Sequence, residues 1–315
     1  MARKKIVIAL GGNALQESGM PPTAEMELEM AEKTAEHIAD IIEMGYDVIL
    51  SHGNGPQVGR VIQQNDCAAA VTPAMPFDVC GAMTQGMIGY HLQQGLSRVF
   101  QRRNLDRTAV TLITQVVVDP EDPRFQNPTK PIGRFYTREE AEQIRQDHPE
   151  QTFVEDAGRG WRRVVASPEP RDIVELQAIK RLMQAGFVII TVGGGGIPVV
   201  RSDAGRLEGV PAVIDKDLAS ALLAEELDAD LLLILTGVEQ VCINFNQPSQ
   251  QSLDRLSVDR AQEYIAQGQF APGSMLPKVE AAVHFTSSKA GRRTIITSLD
   301  RAAAALDGNV GTVIA

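Results

Sequence analysis

Three cysteines, at 67, 80 and 242, are all that the 315 residues hold. The count is odd, the spacing is wide and no C-x-x-C occurs. This excludes a disulfide framework and a cysteine zinc site, and it predicts a reducing, cytoplasmic setting. The five histidines are scattered, with neither H-x-H nor H-E-x-x-H. No segment approaches the roughly 20 apolar residues of a membrane helix. The opening "MARKKIVIALGG" has too short an apolar run for a secretory signal and passes directly into glycines, so it reads as a first strand. Positive charge is in deficit: 30 Lys and Arg face 40 Asp and Glu, a net charge of −10 with a pI near 5.1. That argues against nucleic acid or an anionic membrane as partner, but not against a small anion in a locally basic pocket.

Two phosphate-binding patterns are also missing. The dipeptide Gly-Lys occurs nowhere, so there is no P-loop. A dinucleotide loop needs G-x-G-x-x-G. Gly53 and Gly55 supply its first half, but Val58 stands at the sixth position, and in "GGGGIP" that position is Pro198. A nicotinamide oxidoreductase is therefore disfavoured.

What is present is alternation. "KIVIAL" (5–10), "DVILS" (47–51), "AVTLITQVVV" (109–118), "FVIITV" (187–192), "DLLLILT" (230–236), "RTIITS" (293–298) and "GTVIA" (311–315) read as buried strands. Helical patterns lie between them, over 25–45, 78–103, 172–185, 217–228 and 274–291. Continuous apolar strands alternating with helices predict an α/β fold with a mostly parallel sheet covered on both faces. The length fits one large domain or two modest ones.

One stretch breaks the rhythm. Residues 119–167 carry Pro120, Pro123, Pro128, Pro131 and Pro149, a short helix with Thr137 and Glu140 at capping-box spacing, and a hairpin turning at Gly158 and Gly160. It reads as a small subdomain inserted into the α/β body. Such insertions rise at the carboxyl ends of the strands, where ligands bind.

Four strand ends run into glycine: "ALGGNAL", "SHGNGPQVG", "TVGGGGIP" and "LTGV", the last with Thr236 and Gly237. Glycine lets backbone N–H groups approach an anion closely, and a following helix N-terminus adds a favourable dipole. Each loop alone is equally a tight turn; four in one α/β chain point to phosphate or carboxylate. Cations are then required. Lys216 lies in "VIDKDLASALLA" between Asp215 and Asp217. Lys278 follows Pro277 in "GSMLPKVEAA", and Lys130 lies between prolines in "NPTKPIG". Each of these is otherwise an ordinary solvated lysine.

With "KPIG" and "SPEP", these segments occur along the whole chain in an order that resembles the amino-acid kinase family, and within it the branch whose acceptor is carbamate. The resemblance implies a three-layer αβα open sheet in a single domain spanning 1–315, with residues 119–167 as a protruding, lid-like insertion. It implies reversible, Mg²⁺-dependent phosphoryl transfer between ATP and carbamate, giving ADP and carbamoyl phosphate, run toward ATP as in arginine fermentation. It implies that Gly11, Gly12, Asn13, Gly53, Asn54 and Gly55 line the carbamate side. Gly193, Gly194, Gly195, Asp215, Thr236, Ser274, Met275 and Lys278 then follow the nucleotide in the half from about 187 to 315. Lys130, Lys216 and Lys278 are the implied phosphate-neutralising cations. Asp217 is implied to hold lysines while capping its helix, and Asp215 to lie on the metal side. A homodimer through the helix near 84–103, with Met83, Met87 and Leu92 as contact or core residues, is also implied. The chain departs from the family at Gly237, Cys242 and Leu276, near the implied adenosine pocket. Many relatives carry a lysine one residue before Leu-Gly-Gly; Ala9 stands there instead. That speaks against the alternative of an N-acetylglutamate-type kinase, and the presence of all three lysines speaks against a non-catalytic sensor.

Overall fold

Ile6, Ile8 and Leu10 leave the first strand on one side, Val7 and Ala9 on the other, and all five are 0% exposed. The first set joins one hydrophobic cluster and the second set another. A strand buried on both faces requires a covering layer on each side. The computed structural model of the protein describes residues 3–15, 21–156, 158–308 and 310–315, with Asn13 described by its backbone alone.

The chain begins with β1 (Lys4–Leu10), α1 (Ala24–Glu43), β2 (Tyr46–His52), α2 (Gly55–Ala68), α3 (Phe77–Arg103), β3 (Ala109–Thr111) and β4 (Gln115–Val118). Next come β5 (Lys130–Tyr136), α4 (Arg138–Asp147), β6 (Thr152–Glu155), β7 (Trp161–Val165) and β8 (Pro170–Ile173). The second half holds α5 (Leu176–Gln184), β9 (Val188–Ile190), β10 (Ile197–Arg201), β11 (Leu207–Gly209), α6 (Lys216–Glu226), β12 (Leu231–Thr236), β13 (Val241–Ile243) and β14 (Gln251–Leu253). It ends with β15 (Arg255–Leu256), α7 (Val258–Ala266), α8 (Met275–Ser287), β16 (Arg293–Ser298), α9 (Ala302–Leu306) and β17 (Thr312–Ile314).

Among the described residues the main sheet has eight strands in the order β15-β17-β16-β12-β1-β2-β9-β3. Neighbours are parallel except β16 with β17. Ile8 lies opposite Leu233 on one flank and Leu50 on the other. Helices α1, α3 and α9 cover the face of Ile6 and Ile8, while α5, α6, α7 and α8 cover the face of Val7 and Ala9. The fold is the expected three-layer αβα arrangement. No helix of the described residues is long and apolar enough to cross a membrane.

One expected strand divides. Residues 109–118 form β3 in the main sheet and β4 in a second sheet of order β11-β10-β4-β8. The cause is Thr114, which is fully buried. Its N–H donates to Gln85 Oε1 at 2.8 Å, and its carbonyl accepts from Gln85 Nε2 at 3.1 Å. A side chain from α3 thus takes the Thr114 N–H out of the sheet ladder, while the carbonyl also accepts from Ile197 N at 2.9 Å and carries the chain over to β10. The helix expected over 172–185 starts later, because Pro170–Ile173 pairs as β8 with β4.

Between β4 and β8 stands a three-stranded antiparallel sheet of order β5-β7-β6, with α4. The capping box holds: Thr137 Oγ1 accepts from Glu140 N at 3.1 Å and Glu140 Oε2 accepts from Thr137 N at 2.8 Å. Ile132, Ala141, Phe153 and Val164 are each buried within it. This lid rests on α2. A Cβ on Gly59 would lie 2.9 Å from the Cα of Gly133, so the two backbones meet with no room for a side chain.

Candidate active site

The carboxyl ends of β1 and β2, the start of α6 and the first strand of the lid converge on a cavity of about 330 Å³. Lys130, Asp215, Lys216, Asp217 and Lys278 all border it, as do Gly12, Gly53, Asn54, Gly55 and Gly194. Helix α2 begins at Gly55, so its N-terminal N–H groups face the same space as these ammonium groups. Both features favour an anion.

The charges are paired across elements. Lys216 Nζ donates to Asp217 Oδ1 at 2.5 Å, and Lys278 Nζ donates to Asp217 Oδ2 at 2.9 Å. Lys130 Nζ reaches from the lid to Asp215 Oδ2 at 2.7 Å. Asp217 is 2% exposed. Burial alone pushes its carboxyl up, but the Lys216 and Lys278 ammoniums outweigh that and hold it below the usual carboxylate range. Asp217 does not cap α6. Lys216 is already the first helical residue, so the cap falls on Asp215, whose Oδ1 accepts from Asp217 N at 2.8 Å. Asp217 is thereby free to hold both lysines.

Several glycines singled out in the sequence stand behind the cavity. A Cβ on Gly11 would lie 2.6 Å from the Leu235 carbonyl oxygen, one on Gly193 2.4 Å from His52 Nε2, and one on Gly195 2.3 Å from the Ile214 carbonyl oxygen. These residues allow close packing at the strand ends. Gly194 is the one of its run that borders the cavity, and it sits against the Asn54 side chain, whose Nδ2 donates to Thr84 Oγ1 at 2.9 Å. The side chain of Asn13 lies outside the described residues. Thr236 ends β12 and borders neither this cavity nor the next.

Ser274 and Met275 border a second cavity of about 320 Å³, with Cys242, Phe245, Ser252 and Phe270 among its walls. Lys278 and Pro277, one turn further along α8, border the first. The amino-terminal turn of α8 therefore contributes to two cavities, one bordered by the charged side chains of Lys130, Asp215, Lys216, Asp217 and Lys278 and one bordered by Phe245, Phe270 and Met275. Of the three departures, Cys242 borders this second cavity, whereas Leu276 packs against the main core.

Other contributors were not evident in the sequence. Val192 precedes the glycine turn with φ 52°, a region that β-branched residues rarely enter. It is held there because its N–H donates to Thr114 Oγ1 at 3.2 Å, and Gln85 Nε2 donates to Gly193 O at 2.9 Å. Gln85 thus ties α3 to both Thr114 and the turn. The available signal was a glutamine in a stretch of α3 that otherwise buries small and apolar residues. His52 closes β2, fully buried, with Nδ1 2.9 Å from Gly53 O. Burial pulls its pKa down to about 4, so it is neutral at pH 7 and Nδ1–H is the donor in that contact.

Among the described residues no three His, Cys, Asp or Glu side chains gather as a metal site. Asp215 is the carboxylate on the cavity wall that is not enclosed between two lysines. A Mg²⁺ ion commonly takes one or two carboxylates and completes its shell with phosphate oxygens and water. The donor set therefore fits a metal that arrives with a phosphorylated ligand and does not fit a protein-bound resident one.

Comparison with known proteins agrees with this geometry. The model of the amino acid kinase family matches residues 4–298. The chain is 54% identical over 313 residues to the carbamate kinase of Clostridium perfringens, across 98% of this chain and 99% of that one. It is 50% identical to carbamate kinase 2 of Staphylococcus aureus, across 99% of each. The solved structure of the carbamate kinase from Giardia lamblia bound to AMP-PNP is similar at a TM-score of 0.93 and 47% identity, covering 99% of this chain and 98% of that one. Matched over most of its length by the family model and over nearly all of it by these relatives, the chain belongs to the amino acid kinase family and groups there with the carbamate kinases.

Proposed function

We propose that the protein catalyses reversible phosphoryl transfer between ATP and carbamate, giving ADP and carbamoyl phosphate. The observation that carries this reading is the placement of three lysines on two aspartates around one cavity at the strand ends. Carbamate is already an anion and needs no strong base to make it nucleophilic. The barrier is dominated by bringing two anions together, so positioning and charge neutralisation are the main tasks of the protein.

In this reading Gly12, Gly53, Asn54 and Gly55 form the acceptor side, with backbone N–H groups at the α2 terminus oriented toward its charge. Lys216 and Lys278 neutralise the transferring phosphoryl and the adjoining phosphates from the nucleotide side, and Asp217 fixes where they stand. Lys130 approaches from the lid and fills the place that Ala9 leaves without a charge; Ala9 is fully buried under apolar neighbours. The adenosine end occupies the cavity of Ser274, Met275 and Cys242. Mg²⁺ supplies further charge neutralisation on the phosphates, with Asp215 as the adjoining carboxylate. Among the described residues the first cavity gathers three ammoniums against two carboxylates, a net of one positive charge. A nucleotide and a second anion together carry more negative charge than that, which is the reason for an added cation.

We place the enzyme in the cytoplasm, consistent with three free thiols, and as a homodimer. Val79, Met83 and Tyr90 recur on one face of α3 with 36%, 46% and 58% exposure, an apolar stripe of the kind that subunit contacts cover. Leu92 is buried in the core and belongs to the monomer. The test is ATP formation from ADP and carbamoyl phosphate, with and without Mg²⁺, beside acetylglutamyl phosphate as competing donor. ATP formed from the acyl phosphate in preference to carbamoyl phosphate would overturn the assignment.

A further inference from the structure

A third cavity, a groove of about 660 Å³, runs between the lid and α2 beside the Gly59–Gly133 contact. That lies within the roughly 300–1,000 Å³ typical of small-molecule sites. Ile62 from α2, Ile132 from β5 and Ile144 from α4 give it apolar walls, and Arg163 from β7 borders it. Arg163 is unlike the other arginines of the lid. Arg134 bonds Glu140 at 3.0 Å, Arg138 bonds Glu142 at 2.8 Å, Arg159 bonds Asp156 at 2.7 Å, and Arg162 bonds the Gly133 carbonyl at 3.1 Å. Arg145 has an exposed surface position. Arg163 is only partly exposed, and no ion pair or side-chain hydrogen bond of its guanidinium is present among the described residues. Burial lowers its pKa, and Asp66 across the groove, with Tyr136 and Glu150, counters this only at longer range. The guanidinium nonetheless stays protonated at neutral pH. Its nitrogens keep access to the solvent of the groove and are open to an anion, which a guanidinium binds through paired N–H donors.

We propose that this groove binds a small organic anion, one carboxylate or phosphate on an apolar body, with Arg163 as its anchor. The guanidinium offers a planar fork to the anion, and the three isoleucines offer apolar surface to the rest. The site is separate from the reaction cavity but shares one wall with it. Ile132 borders both and stands two residues from Lys130 on the same strand. An occupant therefore bears on the strand that aims Lys130.

Phenyl phosphate serves as the probe, titrated into the full-length protein saturated with AMP-PNP and labelled with ¹³C at the isoleucine methyls. The methyl signals of Ile62 and Ile144 are expected to shift saturably while that of Ile214, in the reaction cavity, stays in place. Arg163→Met is expected to weaken this binding about tenfold or more, as loss of a charged hydrogen bond does, and to leave turnover of carbamoyl phosphate within about twofold. Arg163→Lys keeps the charge and loses the fork; it is the second variant, expected to bind about threefold more weakly or worse. Absence of saturable shifts at Ile62 and Ile144, shifts centred on Ile214, or wild-type affinity in either variant would overturn the proposal.

Discussion

Lys278 and Asp217, on different helices 61 residues apart in sequence, are joined at 2.9 Å, and the other oxygen of the same carboxylate holds Lys216. One buried acid thus sets the position of two cations. Replacing it by asparagine leaves two ammoniums facing each other with no countercharge. Asp217→Asn is expected to lose about 3 kcal/mol or more of stability, the usual penalty for removing one partner of a buried pair. Its kcat should fall roughly 100-fold or more. Urea unfolding and a coupled ATP assay measure the two. Asp215→Asn is the contrast: asparagine caps a helix about as well as aspartate, so its stability should change little. An Asp217→Asn protein as stable as the parent would remove Asp217 as the anchor of the lysines.

Lys216→Ala separates charge from scaffold. The Lys216 carbonyl, which accepts from Ser220 Oγ at 2.5 Å, survives the substitution, so α6 keeps its first turn. Turnover is expected to drop by roughly 100-fold or more, as on losing a preorganised electrostatic donor. Near-parental turnover in the folded variant would leave Lys216 with its structural pairing to Asp217 alone.

Lys130 tests the lid. Lys130→Ala is expected to lower kcat with carbamoyl phosphate by roughly 100-fold or more. ADP affinity by calorimetry should change by less than about threefold, because the lysine acts from the side away from the adenosine cavity. Removal of residues from about 120 to 166 should likewise preserve ADP binding and abolish turnover. A defect confined to ADP binding would place the substrate-side cation elsewhere.

His52 makes stability depend on pH. Its folded pKa of about 4 lies below the roughly 6.5 of an unfolded chain. As pH falls through that window the unfolded state takes up the proton first, so the folded state loses ground. The contribution is fully present above about pH 6.5 and is lost progressively toward pH 4. Between pH 7 and 5 the parent protein should lose about 2 kcal/mol more than His52→Gln in urea unfolding. Parallel losses in both proteins would mean that His52 is not held neutral.

The parts of the fold legible in the sequence were those set by short-range pattern. Residues 5–10 read as a buried strand because both of its faces are apolar, and both are covered. Thr137 and Glu140 announced a helix start because that cap is closed within four residues. Long-range side-chain contacts were not legible. Nothing near Thr114 signals that Gln85, 29 residues earlier, breaks its strand. The lysines and Asp215 and Asp217 were legible as a set through motif, and they do meet at one cavity. The motif did not show which aspartate caps α6, since that depends on where the first helical residue falls. Nor did it show that Gly11, Gly193 and Gly195 make room for neighbouring backbone and side chains, while Gly12 and Gly194 border the first cavity.

The contact between Gly59 and Gly133 is made by backbone against backbone. Its geometry therefore does not depend on the identity of any side chain around it. The two glycines are one of the points that seat the lid, beside the Lys130–Asp215 pair. Mutation can recolour the exposed outer side chains of β5, β6 and β7 without touching the contact of the two glycines. A joint made of main chain alone is in this sense what leaves the exposed side chains of the lid open to inherited change.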